Sequence, residues 1–128
     1  ATALMDEKAA GKGYVYVRRC VNLLSERMSE DARIEDLAKE LGISAAYLQR
    51  LFRQVHGMTI IDYLNRMRIE RAKLLLLNTD DPVVEIAMEA GFNSRQHFTR
   101  VFTSLEGISP QEYRREKRNS EEKQIFLF

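Results

Sequence analysis

The chain states nearly the same pattern twice, about fifty residues apart, and any fold for it must accommodate both copies. Ile34-Glu35-Asp36-Leu37-Ala38-Lys39-Glu40-Leu41-Gly42 lines up with Val83-Val84-Glu85-Ile86-Ala87-Met88-Glu89-Ala90-Gly91. Ser44-Ala45-Ala46-Tyr47-Leu48-Gln49-Arg50-Leu51-Phe52 lines up with Ser94-Arg95-Gln96-His97-Phe98-Thr99-Arg100-Val101-Phe102. Gly57-Met58-Thr59 and Asp62-Tyr63 answer to Gly107-Ile108-Ser109 and Glu112-Tyr113. The later copy carries one extra residue, Phe92-Asn93-Ser94 standing where the earlier has Ile43-Ser44. Two copies are too few for a solenoid, so the pattern implies a duplicated two-helix unit.

Each copy meets the packing demands of a helix-turn-helix. Two helices crossing steeply need a small residue at the contact, and Ala38 and Ala87 stand there. The turn needs a residue tolerant of positive φ, supplied by Gly42 and Gly91. Leu37, Leu41, Ile43, Leu48 and Leu51 form the expected inner seam of the first copy, with Phe52 and Val55 also assigned to the core. Ile86, Ala90, Phe92, Phe98 and Val101 do the same in the second. In that second copy Phe98, Val101, Phe102 and Leu105 recur at helical spacing, and Asn93 or Ser94 offers the N-cap. The opposite face carries Arg95, Gln96, Thr99 and Arg100. Arginine and glutamine have the forked donors and acceptors that match guanine and adenine edges in a major groove. The equivalent face of the first copy is Ala46, Gln49, Arg50 and Arg53. Tyr47 and His97 occupy matching positions, either facing a groove or packing at its edge.

The region from about Ile34 to Arg115 resembles the DNA-binding domain of the AraC/XylS family of bacterial transcription regulators. The resemblance is most specific from Ile86-Ala87 through Gly91-Phe92, Phe98-Thr99-Arg100-Val101-Phe102, Gly107 and Ser109-Pro110-Gln111-Glu112-Tyr113-Arg114. It implies an all-α fold of about seven helices, with two helix-turn-helix subdomains joined by a long connecting helix. It further implies double-stranded DNA as partner, RNA polymerase as a second partner, and a missing N-terminal sensing or dimerisation domain. A bacterial cytoplasmic, nucleoid-associated location goes with that. The sequence departs from the family at Ala46, where a larger side chain is common; Ala46 offers a thymine methyl contact or simple clearance.

Composition sets outer limits. No apolar run exceeds four residues, as at Leu74 to Leu77, far from the ~20 of a membrane span. No basic–apolar–small signal peptide is present. The single cysteine, Cys20, excludes an internal disulfide and reads as a buried structural thiol. No paired carboxylate–histidine site, metal cluster or glycine-rich phosphate loop appears, which argues against an enzyme and leaves no cofactor to expect. The two histidines, His56 and His97, lack companion ligands for a metal. Net charge is only +1, yet it is segregated. Ile43 to Lys73 holds six basic residues against two acids, and Gly91 to Arg118 six against three. The acids gather in Glu26 to Glu40 and Asp80 to Glu89. One face toward phosphates and another toward solvent or protein would produce such a distribution.

In chain order, residues 1–13, with Gly11-Lys12-Gly13, are expected as a flexible lead from the missing domain. A helix from Tyr14 to Met28 opens the first subdomain, which covers 14–58. The connecting helix occupies 59–79, with Thr59 as N-cap. Its twenty-odd residues span ~30 Å at ~1.5 Å each, against ~34 Å between successive major grooves on one side of B-DNA. Arg66, Arg68, Arg71 and Lys73 on it either meet phosphates or pair internally. Asp80-Asp81-Pro82 breaks that helix, Pro82 sitting in the first turn of the next, and 80–118 forms the second subdomain. Ser109 and Pro110 start a final short helix; Arg114, Arg115, Lys117 and Arg118 either add phosphate contacts or solubilise its end. Residues 119–128 form a tail ending in Ile125-Phe126-Leu127-Phe128. The function that follows is a sequence-specific double-stranded DNA-binding regulator that inserts two recognition helices into successive major grooves. The alternative is a helical protein-interaction module without DNA binding.

Overall fold

The structure, a computed structural model, describes the backbone of residues 2–127 and the side chains of residue 11 and residues 13–121. Among the described residues there are seven α-helices and no strand: α1 (Thr2–Glu26), α2 (Ile34–Leu41), α3 (Ala45–His56), α4 (Ile60–Asn78), α5 (Val83–Glu89), α6 (Arg95–Glu106) and α7 (Pro110–Leu127). None is long and apolar enough to cross a membrane. The chain divides into two compact units, Ala1–Leu64 and Asn65–Phe128, with the boundary inside α4.

In the first unit α1 packs on α2 and α3. Its core is Val17, Cys20 and Leu24 from α1, Leu37 and Ala38 from α2, Leu48, Leu51 and Phe52 from α3, and Ile60 and Leu64 from α4. The α2–α3 turn is set by Gly42, whose φ of 75° would strain any side-chain-bearing residue. It lets Ile43 N–H reach back to the Ala38 carbonyl at 3.1 Å, so the helix end is satisfied as the chain reverses. Ser44 then caps α3, its Oγ accepting from Tyr47 N–H at 3.1 Å. Thr59 caps α4 in the same way, accepting from Asp62 N–H at 3.1 Å.

The second unit repeats the plan. Ile69, Ala72 and Leu76 of α4 share a core with Val83, Ile86, Ala87, Ala90, Phe92, Phe98, Phe102 and Tyr113. Gly91, at φ 104°, lets Phe92 N–H bond the Ala87 carbonyl at 2.9 Å. Ser94, not Asn93, caps α6, accepting from His97 N–H at 3.1 Å. Ser109 caps α7 through Glu112 N–H at 3.1 Å, with Pro110 first in that helix. Ala38 and Ala87 are both buried, as steeply crossing helices require.

Several expectations need correcting. Helix α1 begins at Thr2 rather than Tyr14, and Gly13 is not a linker residue. Gly13 is buried in the helix, and a Cβ there would stand 2.7 Å from Leu51 Cδ2, so glycine allows the close approach of α1 to α3. Pro82 is the N-cap of α5, one position before the first turn. Helix α7 is not short: it runs on through residues expected to form a separate tail. The apolar side chains Ile125 to Phe128 lie outside the described residues. Val55 is exposed, and so is its counterpart Leu105. Both lie on the helical face of Leu48 and Phe98 by period, but in the last turn of their helices that face is only partly covered.

Candidate nucleic-acid interface

Helices α3 and α6 are each twelve residues long, capped by serine and closed by a glycine in the left-handed region. Their backs are anchored by Leu48, Leu51 and Phe52 in one case and by Phe98 and Phe102 in the other, all buried. Helical period therefore turns the remaining side chains outward. On α3, Ala46, Gln49, Arg50 and Arg53 are exposed. Gln49, Arg50 and Arg53 line a concavity together with Ile34, Gln54, Thr59 and Ile60. On α6, Arg95, Gln96 and Arg100 are exposed and Thr99 is half-buried. Arg95, Gln96, Thr99 and Arg100 share a shallow concavity with Thr103 and Ser104. Sequence reasoning missed Gln54, Thr103 and Ser104. Each stands four residues beyond a candidate (Arg50, Thr99, Arg100), one turn along the same face, and that spacing was the available signal.

Tyr47 and His97 both pack at the edge of their helices, but against different neighbours. Tyr47 is half-buried, meeting Tyr16 of α1 edge-on at 6.4 Å between ring centroids. The Arg50 guanidinium lies over the Tyr47 ring, 5.3 Å from its centre. His97 instead meets Phe92 edge-on at 5.5 Å. His56, in the last turn of α3, is held between Phe52 and Tyr63, 4.7 Å from each ring.

The remaining cations divide by what already holds them. Lys73 Nζ pairs with Glu70 and with Glu106 at the end of α6, each at 3.1 Å. Burial pulls the Lys73 ammonium toward neutrality, but the bonds to Glu70 and Glu106 outweigh it and hold its pKa above the ordinary lysine value. Arg68 lies over the Phe92 ring at 5.9 Å. Arg114 donates from Nε to the Leu76 carbonyl at 2.9 Å, and from Nη2 to the carbonyls of Thr79 at 3.3 Å and Asp81 at 2.8 Å. Arg118 Nη2 reaches the carbonyls of Leu76 at 3.3 Å and Thr79 at 2.5 Å, while its Nη1 pairs with Asp80 at 2.8 Å. These two arginines close the C-terminal end of α4, where the last carbonyls have no partner within the helix. Neither is a loose surface charge. Arg53, Arg66, Arg71, Arg95, Arg100 and Arg115 are exposed. Cys20 is fully enclosed in the first core, and burial pushes its thiol up to about 11, which keeps it protonated and inert.

Residues 37–116 match a family model described as a helix-turn-helix domain. The melibiose operon regulatory protein of Escherichia coli K12 is 33% identical over 100 residues, covering 78% of this chain and 33% of that protein. The chain thus spans about a third of that relative's length. Regulatory protein SoxS of Escherichia coli K12 is 37% identical over 91 residues, covering 71% of this chain and 85% of SoxS. Among solved structures, the DNA-binding domain of AdpA, a global transcriptional factor in complex with a target DNA, superposes with a TM-score of 0.77 at 29% identity. That match covers 81% of this chain and 94% of the AdpA domain.

Proposed function

Because the chain belongs to the AraC-type family of helix-turn-helix transcription regulators, we propose that it binds double-stranded DNA sequence-specifically through α3 and α6, each entering a major groove. The observation that carries this reading is the matched construction of the two helices. Each is serine-capped, backed by buried leucine or phenylalanine, and fronted by exposed arginine and glutamine. Phosphate contacts supply most of the affinity; Gln49, Arg50, Arg95, Gln96, Thr99 and Arg100 supply the discrimination between bases. Acting on chromosomal DNA places the protein at the nucleoid of a bacterial cytoplasm. A sensing or dimerising domain N-terminal to these residues supplies the signal.

The test is selection of binding sites from random duplexes, followed by footprinting of wild type, Arg50→Ala and Arg100→Ala. Each substitution is expected to cost ~1–3 kcal/mol and to relax preference at one base step. Base preference unchanged in both variants refutes the assignment. Two protected major-groove segments about 10 bp apart report that both units are engaged on one duplex.

A protein contact accompanies DNA binding in this reading. Val84 and Met88 are exposed on α5 and share a shallow concavity with Asp81, Glu85 and Glu89. An acidic rim around exposed apolar side chains supports RNA polymerase as the partner of this face. Val84→Asp with Met88→Ser should then lower transcription from a bound promoter without altering DNA affinity.

A further inference from the structure

Arg50 and Arg100 occupy equivalent positions, yet their surroundings differ. Arg100 has no ring, hydrogen-bond or ion-pair partner among the described residues. Arg50 has one: its guanidinium lies over the face of the Tyr47 ring. Tyr47 is itself fixed, half-buried one turn before Arg50 and braced edge-on by Tyr16. At the equivalent place His97 turns to Phe92 instead, with no cation above it among the described residues.

We propose that Tyr47 is a positioning residue that holds the Arg50 guanidinium ready for a base edge, making the first unit the more discriminating reader. The inference rests on the DNA-binding reading above. The Arg50 guanidinium sits over the Tyr47 ring at 5.3 Å, and none of its five N–H donors is taken by a hydrogen bond among the described residues. The ring therefore restrains Arg50 without using the groups that would form a bidentate pair with a guanine edge. A long exposed side chain otherwise loses much rotamer freedom on binding, and restraint beforehand reduces that loss. Arg100 meets the full loss. Tyr47 touches the base only through Arg50, so its effect is confined to the step that Arg50 reads.

The experiment uses the whole chain and a 30-bp duplex carrying a selected site, with a second duplex altered at the base step that Arg50→Ala relaxes. Affinity for both duplexes is measured for wild type, Tyr47→Phe, Tyr47→Leu, Tyr47→His, Arg50→Ala and Tyr47→Leu/Arg50→Ala. Histidine at 47 is the residue the second unit accepts at the matching position, so this variant guards against a folding failure in Tyr47→Leu. Tyr47→Phe should keep the wild-type discrimination, because the ring face remains. Tyr47→Leu and Tyr47→His should lose about two- to five-fold of it, the scale of an exposed cation–ring contact. Adding Tyr47→Leu to Arg50→Ala should change nothing further at that step. Wild-type discrimination in both Tyr47→Leu and Tyr47→His overturns the proposal. So does an equal loss in Tyr47→Phe, or a further loss in the double variant. A wild type that prefers no duplex overturns the DNA-binding reading itself, and is thereby distinguished from failure of the Tyr47 role alone.

Discussion

Removing the two arginines that close α4 should unlock the second unit, and more than additively. Two of the carbonyls, those of Leu76 and Thr79, each accept from both Arg114 and Arg118. Loss of either arginine leaves both carbonyls with a donor. Only the Asp81 carbonyl depends on Arg114 alone, and only the Asp80 carboxylate on Arg118 alone. The Asp80 side chain is 93% exposed, so its pair with Arg118 contributes at most ~1 kcal/mol. Arg118→Ala is therefore expected to cost ~0.5–1 kcal/mol. Arg114→Ala, which removes a charged donor from a half-buried carbonyl, should cost about 2 kcal/mol. The double variant orphans the Leu76 and Thr79 carbonyls as well, at ~1–3 kcal/mol each before water replaces the lost donors. Its total should then exceed the sum of the singles by ~1–2 kcal/mol.

A chain of two units need not unfold in one step, so a single melting curve mixes them. Native-state hydrogen exchange of the α5 and α6 amides reads the second unit by itself. Amides of α2 and α3 serve as the internal reference and should be unchanged. Arg114→Lys should not rescue, since one ammonium on a flexible stem cannot serve three carbonyls as a planar fork does. Additivity of the two singles within ~0.3–0.5 kcal/mol would refute the shared-carbonyl reasoning. Equal losses from Arg114→Ala and Arg118→Ala would refute the ranking.

The two glycines of α1 should respond oppositely. Gly11→Ala meets nothing within 4 Å and should stabilise by up to ~1 kcal/mol, whereas Gly13→Val runs into Leu51 and should cost ~1–3 kcal/mol, both read by thermal unfolding. The Glu40 carboxyl is held below its ordinary value of 4.5, chiefly by its bond with Arg27. A lowered folded-state pKa means stability present above the unfolded value and lost as pH falls through the folded one. Glu40→Gln should flatten that acid limb in a pH series of urea titrations. Finally, twelve cations lie within Ile43–Lys73 and Gly91–Arg118 by sequence. Lys73, Arg114 and Arg118 are paired or hydrogen-bonded and Arg50, Arg68 and Lys117 lie over rings, leaving six. The slope of log affinity against log salt should thus not exceed ~5 in magnitude, at ~0.9 per phosphate, and a value near ~11 would return the other six to the interface.

What could be read from the sequence was local. Helical period, glycine at a left-handed turn and serine before a helix act within four or five residues, so the duplicated pattern located α2, α3, α5 and α6 and the outward faces of α3 and α6. The failures share a cause. Gly13 looks like a linker until α3 brings Leu51 against it, thirty-eight residues on. Val55 and Leu105 have the right period for a core, but period says nothing about where the covering helices stop. Cations show the same limit most clearly, because one residue type here answers to four kinds of partner. Arg50 lies over a ring, Arg27 meets a carboxylate, Arg114 meets carbonyls, and Arg100 faces solvent. A guanidinium is spelled identically in all four settings. A basic cluster in a sequence therefore sets an upper bound on phosphate contacts, and the fold decides how many of those charges remain to be offered.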